Sequence, residues 1–253
     1  MKFEMWSLGH YLMMISPFVI AILLFFLTQG KSDKYKRLVG IILSVICVVL
    51  LILRNIEIFS ISHKIEPEII PFQICHFANF VLLFGFLFKN KVWLVIAFCF
   101  NLPFAFLSLL FANGLENYST LYSLRAIAYI WGHILIVAVT LWAFLAGVIE
   151  SDKKTFKVGM ISILLMFVLS VPINNIFMKI MPGFTSNYFY SFKPEKGTPL
   201  EIAFNLGENI KFLGMTFNPI YLIITSIFGI ALYSLLYKLL QVYNHRVYLT
   251  KVV

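Results

Sequence analysis

The chain has 253 residues, of which 61% are hydrophobic and only 12% are charged, and its formal net charge is +9. Because soluble domains carry about a quarter charged residues, this composition excludes an ordinary soluble protein and indicates one that lies almost wholly in a membrane. The positive charge gives little support for nucleic-acid binding, since no basic motif carries interleaved aromatic residues on a soluble face. No nucleic-acid partner is therefore expected.

Seven stretches lack Asp, Glu, Lys and Arg and are long enough, or nearly so, to cross the hydrocarbon core as helices. The second is short and is expected to extend past Arg54 to about Glu57. We therefore predict an all-α polytopic membrane protein, a seven-helix bundle that forms one transmembrane domain over residues 1–253. The predicted spans are 11–30, 38–57, 69–88, 92–113, 126–149, 158–178 and 212–237.

The loops that follow the first, third and fifth spans are short and basic, as KSDKYKR after the first span illustrates. Short loops of this kind face the cytoplasm. The N-terminus is therefore predicted to lie outside and the C-terminus in the cytoplasm. We expect a multi-pass protein of the plasma membrane, and the frequent use of Ile, Phe, Lys and Asn suggests an AT-rich bacterial genome.

The three cysteines do not form a disulfide framework. Cys47 and Cys99 lie mid-helix among apolar residues and are predicted to be small buried hydrophobic side chains. Cys75, in PFQICHFANF, and His133, in AIAYIWGHILIV, suggest acyl chemistry on a lipid if they meet. A cysteine nucleophile needs a base to form the thiolate, and histidine is the usual one. For each residue alone, a packed and inert side chain is the alternative.

Polar residues of the spans fall at the predicted outer side, and such residues usually face a cavity or the bundle interior. We therefore predict one outward-facing polar pocket. Spacings of four place Cys75 with Asn79 on one helix face and Arg125 with His133 on another. The predicted substrate-binding residues are Arg54, Glu57, Asn79, Asn101, Arg125, Tyr129 and Asn174.

Three of these residues carry more specific expectations. Arg54 and Glu57 are three apart and are expected to pair at the rim of the pocket. Arg125 is the expected contact for an anionic headgroup, because a guanidinium matches phosphate oxygens. No metal site is predicted, since no ligand spacing such as HExxH is present, and no cofactor is expected. The oligomeric state is left open.

Five segments resemble the YwaF-type family of bacterial integral membrane proteins, which is related to the eukaryotic transmembrane acyltransferases that remodel ether phospholipids. The segments are FEMWSLGHY, PFQICHFANF, YIWGHILIV, VPINNIFMKIMPG, and NYFYSFKPEKGTPLEIAFNLG followed by NPIY. The resemblance implies acyl transfer through a thioester, with Cys75 as the nucleophile and His133 as its histidine. It also implies a phospholipid or lysophospholipid as the partner. His76 departs from the family pattern, which has a small or acidic residue after the cysteine.

Two functions from different classes follow. The first is a Cys–His lipid acyltransferase or lipid thioesterase, in which Asn79, Asn101 or Asn174 donates a hydrogen bond to the oxyanion. The second is a non-catalytic protein that binds or transports a lipid or small solute in the same pocket. No inverted repeat is evident, which disfavours a transporter of that design.

Reporter fusions test the predicted orientation. Reporters at Tyr35 and Lys154 should be cytoplasmic and one at Glu116 should be external, because the first two lie in basic loops. A cytoplasmic reporter at Glu116 would invert the bundle and move the pocket to the other leaflet.

Overall fold

A computed structural model describes residues 2–118 and 120–252, apart from the side chains of residues 113, 117 and 246–252. In this part of the chain seven helical spans are long and apolar enough to cross a membrane. The all-α polytopic class is therefore confirmed. The helices and strands are α1 (Leu8–Thr28), α2 (Asp33–Ser62), α3 (Ile74–Leu87), α4 (Lys91–Ile96), α5 (Leu102–Leu110), α6 (Leu124–Leu145), α7 (Lys153–Ile180), α8 (Leu200–Asn205), β1 (Ile210–Phe212), β2 (Met215–Phe217) and α9 (Pro219–Val252).

The fourth span is interrupted in the middle of the bundle. A π-helical turn, Ala97–Asn101, joins α4 to α5, and the N–H of Leu102 bonds to the carbonyl of Ala97. Pro103 explains the turn, because it has no N–H to offer to the preceding helical carbonyl. The turn places Asn101 among the buried residues of the bundle.

The seventh span begins later than the predicted residue 212. Residues Ile210–Phe212 and Met215–Phe217 pair as a short antiparallel hairpin, and α9 starts at Pro219. The left-handed backbone of Leu213 and Gly214 closes the hairpin turn. An apolar stretch without charges did not distinguish these strand residues from the helix that follows.

Side-chain caps start most of the spans. Ser7, Ser32, Ser123 and Asp152 each accept a hydrogen bond from a main-chain N–H of the first turn of α1, α2, α6 and α7, respectively. Such caps satisfy N–H groups that have no partner inside the helix. Helix α3 differs, because Gln73 at its N-cap position makes no side-chain cap bond.

Helix α6 is the central helix of the bundle, with α1, α2 and α5 packed around it. Its Trp142 is fully buried and donates to the hydroxyl of Thr28 at 2.9 Å. Helices α7 and α9 pack against the fourth span. Gly40 of α2 lies directly against the ring of Phe86, which is itself buried.

The basic loops meet at one end of the bundle. The Lys36 amine donates to the carbonyl of Ala146, and Lys91 forms an ion pair with Glu150. At the opposite end the main-chain N–H of Met5 bonds to the carboxylate of Glu116. The loop after α7, residues 181–199 and named the outer loop below, also lies at this second end, where Tyr188 bonds to the carbonyl of Pro67. The assignment of the basic end to the cytoplasm stays a prediction.

Substitution of Gly40 by Ala should lower the thermal stability of the protein. A methyl group at this position would overlap the Phe86 ring, which has no open space to move into. Overpacking of this kind costs about 1–3 kcal/mol. Gly229→Ala is the matched control, since a methyl group there meets no atom within 4 Å. Thermal unfolding in detergent measures both, and equal melting temperatures for Gly40→Ala and the wild type would refute this packing.

Candidate functional site

Two cavities meet at the end of the bundle opposite the basic loops. The polar cavity has a volume of about 350 Å³ and is lined by charged and polar groups of α2, α3, α6 and the outer loop. The apolar cavity has a volume of about 470 Å³ and extends between the fourth span, α7 and α9. Both volumes are in the range of small-molecule sites. The residues that line both cavities are Gln73, Cys75, Gly114, Tyr129, Tyr190 and Glu195.

Cys75 is the second residue of α3, at the uncapped N-terminus of that helix. The first N–H groups of a helix carry partial positive charge and favour a thiolate. Arg54 adds a full positive charge and lines the polar cavity with Cys75. Cys75 is partly accessible, whereas Cys47 and Cys99 are buried. Cys47 nevertheless forms part of the wall of the polar cavity, a position that its apolar surroundings in the sequence did not predict.

His133 lies in the same polar cavity, on α6. Its Nδ1 bonds to the carbonyl of Tyr129 at 2.6 Å. Because a carbonyl only accepts, Nδ1 carries the proton and the lone pair is on Nε2, as a general base requires. The ring also packs on Tyr129, with 4.4 Å between centroids. Among the described residues no hydrogen bond joins His133 to Cys75, so proton transfer between them would require a water, a substrate or a small movement.

Glu68 binds both arginines of the predicted rim. Its two carboxylate oxygens accept from Arg54 and from Arg125, each at 2.7 Å. The expected pair of Arg54 with Glu57 is therefore wrong. The carboxylate of Glu57 instead accepts from the main-chain N–H groups of Leu124 and Arg125, at 3.3 and 2.6 Å. Glu57 thus stabilises the N-terminus of α6, where a negative charge is favourable.

Arg125 does not line either cavity. Besides its bond to Glu68, its guanidinium lies 5.4 Å from the centre of the Tyr118 ring. Of the two arginines, Arg54 is the one that lines the polar cavity, together with Lys193 of the outer loop. The side chain of Arg54 is 12% exposed. An anionic headgroup in this cavity would meet Arg54 and Lys193 before it met Arg125.

The predicted asparagines have three different environments. Asn79 lines the polar cavity and Asn101 the apolar cavity. The side-chain oxygen of Asn79 and both amide atoms of Asn101 have no hydrogen-bond partner among the described residues. Asn174 is different, because its side-chain amide makes all its hydrogen bonds with the outer loop. Its partners there are the main chain of Tyr188 and two serine hydroxyls. It cannot donate to an oxyanion without breaking these bonds.

Three further residues belong to the site but were missed in the sequence. Glu68 could have been found, because two arginines within spans call for a counter-ion. Glu195 and Tyr190 lie in a loop, where helical spacing gives no signal. Burial raises the pKa of the Glu195 carboxyl, and the positive charge of Lys193 lowers it by a smaller amount. Glu195 also lines both cavities, as Cys75 and Tyr190 do.

A bundle of seven apolar spans with cavities at one end defines a multi-pass membrane protein. The chain belongs to the TMEM164 family, whose family model matches residues 5–237. No curated protein and no solved structure matches the chain.

A double-mutant cycle on Arg54 and Glu68 should show strong coupling. Glu68→Ala would leave two guanidinium groups without their shared carboxylate, so the single variants should lose stability and the double variant should lose less than their sum. For a contact of this burial the coupling is about 0.5–3 kcal/mol. Unfolding in detergent measures it. The exposed pair Lys91–Glu150 is the control, with coupling near zero, and equal coupling in both pairs would contradict the network.

Proposed function

We propose that this protein is a lipid acyltransferase or lipid thioesterase that works through an acyl-enzyme on Cys75. The observation that carries the proposal is the position of Cys75 where an apolar and a polar cavity meet. An acyl ester has the same division, with an apolar chain on one side of the carbonyl and a polar headgroup on the other. A lipid with its chain in the apolar cavity would therefore present its carbonyl carbon to the sulfur.

The chemistry follows from the two side chains. The Nε2 atom of His133 takes the proton of the Cys75 thiol, and the sulfur forms a bond to the carbonyl carbon. The ester C–O bond then breaks, His133 returns the proton to the leaving oxygen, and a lysolipid departs. The hydroxyl group of a second lipid, or water, next gives its proton to His133 and attacks the thioester; the C–S bond breaks, and His133 returns the proton to the Cys75 sulfur. A lipid acceptor makes the protein a transferase, and water makes it a thioesterase.

Charged groups in the polar cavity support a phospholipid as the substrate. Arg54 and Lys193 both line this cavity, and their positive charges suit a phosphate group. The resemblance to YwaF-type proteins and to the Cys–His acyltransferases of ether phospholipids supports the same reading. A plasma-membrane location in a bacterium, with the site facing outward, completes the proposal.

The second candidate is a lipid-binding or transport protein without catalysis. The specific observation in its favour is that no hydrogen bond joins Cys75 to His133 in the described part of the chain. The cavities would hold a lipid equally well without any chemistry. The two candidates differ in one measurable respect, which is whether an acyl group becomes attached to Cys75.

An acyl-labelling experiment separates the two candidates. Purified protein in lipid nanodiscs is given phosphatidylethanolamine with an alkyne-tagged palmitoyl chain, and hydroxylamine-sensitive label is measured by gel and by intact mass. Cys75→Ala should abolish the label. His133→Ala should slow labelling by about 10²–10⁴-fold, as for a lost general base.

Cys99→Ala is the matched control and should be labelled at the wild-type rate, because Cys99 is buried among apolar residues. Label that persists in Cys75→Ala would exclude Cys75 as the nucleophile. Tagged lipid that copurifies with the wild type without any covalent label would favour the non-catalytic candidate. Free fatty acid among the products indicates hydrolysis, and a new diacyl lipid indicates transfer.

A further inference from the structure

Two consecutive residues of the outer loop have a left-handed backbone although neither is glycine. The φ angles are 55° at Phe189 and 52° at Tyr190. Bulky side chains rarely adopt this conformation, which costs about 1–3 kcal/mol for each residue. Such positions persist only where the surroundings enforce them, and they cluster at functional sites.

Hydrogen bonds to three parts of the protein hold the turn at Tyr188–Tyr190 in place. The side chain of Asn174 bonds to the main-chain N–H and carbonyl of Tyr188, at 2.7 and 3.1 Å. The hydroxyl of Tyr221 donates to the carbonyl of Tyr190 at 2.8 Å, and that of Tyr188 donates to the carbonyl of Pro67 at 2.6 Å. The turn is therefore fixed relative to α7, α9 and the segment that leads into α3.

The strained turn directs the rings of Phe189 and Tyr190 to different parts of the protein. Phe189 enters the core, where it is 5% exposed. Tyr190 lies at the junction of the two cavities, which it lines together with Cys75. Packing explains the ring of Tyr190, because the ring contacts the core, but it does not explain the hydroxyl group.

Two tyrosines line this junction, and they differ in whether the hydroxyl proton is already used in a hydrogen bond. Tyr129 also lines both cavities, but its hydroxyl donates to the carbonyl of Ser108 at 2.7 Å. In the described chain no acceptor is bonded to the hydroxyl of Tyr190. Tyr190 therefore brings a donor without a bonded acceptor to the wall of the junction that Cys75 also lines, where the carbonyl of an acyl ester would lie if Cys75 attacked it.

We propose that the hydroxyl of Tyr190 is a catalytic hydrogen-bond donor that binds the oxyanion formed when Cys75 attacks an acyl ester. This inference rests on the proposed function. As the C–S bond forms, the carbonyl π electrons move to oxygen, and the negative charge is stabilised by the Tyr190 O–H. As the ester C–O bond breaks, the carbonyl re-forms and the phenol keeps its proton throughout.

The protonation state of Tyr190 agrees with this role. Burial raises the pKa of the Tyr190 hydroxyl, and negative charge on Cys75 and on Glu195 raises it further. The phenol therefore remains protonated at neutral pH, including when the thiolate forms. A fixed donor aimed at a developing oxyanion is among the largest contributions that an enzyme site makes to the rate.

Tyr190→Phe tests the proposal, because it removes the hydroxyl and keeps the ring. The probe is an alkyne-tagged palmitoyl p-nitrophenyl ester, and the rate of hydroxylamine-sensitive labelling of Cys75 is measured on protein in nanodiscs. We expect this rate to fall by about 10²–10³-fold, the effect of losing one oxyanion donor. The melting temperature and the apparent affinity for the ester should stay near their wild-type values. Tyr243→Phe is the matched control, because its hydroxyl bonds to a carbonyl at the opposite end of the bundle.

A pair of ketones adds a readout that a merely structural role would not change. A palmitoyl trifluoromethyl ketone forms a hemithioketal oxyanion with a thiolate, whereas the corresponding methyl ketone binds largely without addition. Tyr190→Phe should weaken binding of the trifluoromethyl ketone by a factor similar to the loss in rate and leave methyl ketone binding unchanged.

The outcomes distinguish this inference from the proposed function. Wild-type labelling at Cys75 with an equal rate in Tyr190→Phe would overturn the role of Tyr190 and leave the acyl-enzyme standing. A wild type that is never labelled at Cys75 would overturn both. Equal weakening of the two ketones would also refute an oxyanion contact, since it would indicate a general change of the cavity.

Discussion

The carboxylate of Glu68 joins α2, α6 and the segment that leads to Cys75, and the geometry of the site depends on it. Each carboxylate oxygen binds one arginine at 2.7 Å. The carbonyls of Pro67, Glu68 and Ile69 in turn accept hydrogen bonds from the outer loop and from α2. Main-chain carbonyls that leave bulk water need such partners. The start of α3 is therefore fixed a few residues before Cys75.

The outer loop covers the end of the bundle at which the two cavities meet. Its Tyr188 and Phe189 are buried, which draws the loop inward between the spans. Asn174 satisfies the main-chain groups that this inward path removes from water. The loop thereby forms a shared wall of the two cavities beside Cys75.

The sequence contains enough information for the spans, because hydrocarbon selects strongly against charge. It places Cys75 and His133 on separate helices, and the structure gives them a common cavity. Helical spacing describes one helix, so it did not reveal the contact of Arg54 with Glu68 or that of Glu57 with the start of α6, which both cross between elements. The hairpin before α9 and the turn at Tyr190 depend on tertiary contacts and have no periodic pattern to reveal them.

The uncapped start of α3 leaves the first N–H groups of this helix without a side-chain acceptor at the position of Cys75. Ser, Asn or Asp at an N-cap position typically stabilises a helix by about 1 kcal/mol, and α1, α2, α6 and α7 use Ser or Asp in this way. Such a side chain in place of Gln73 would accept from the first N–H groups of α3 and compete with negative charge on the Cys75 sulfur. With Gln73 making no cap bond, these N–H groups remain free to stabilise a thiolate if one forms on Cys75 in the proposed reaction, against the desolvation that disfavours it.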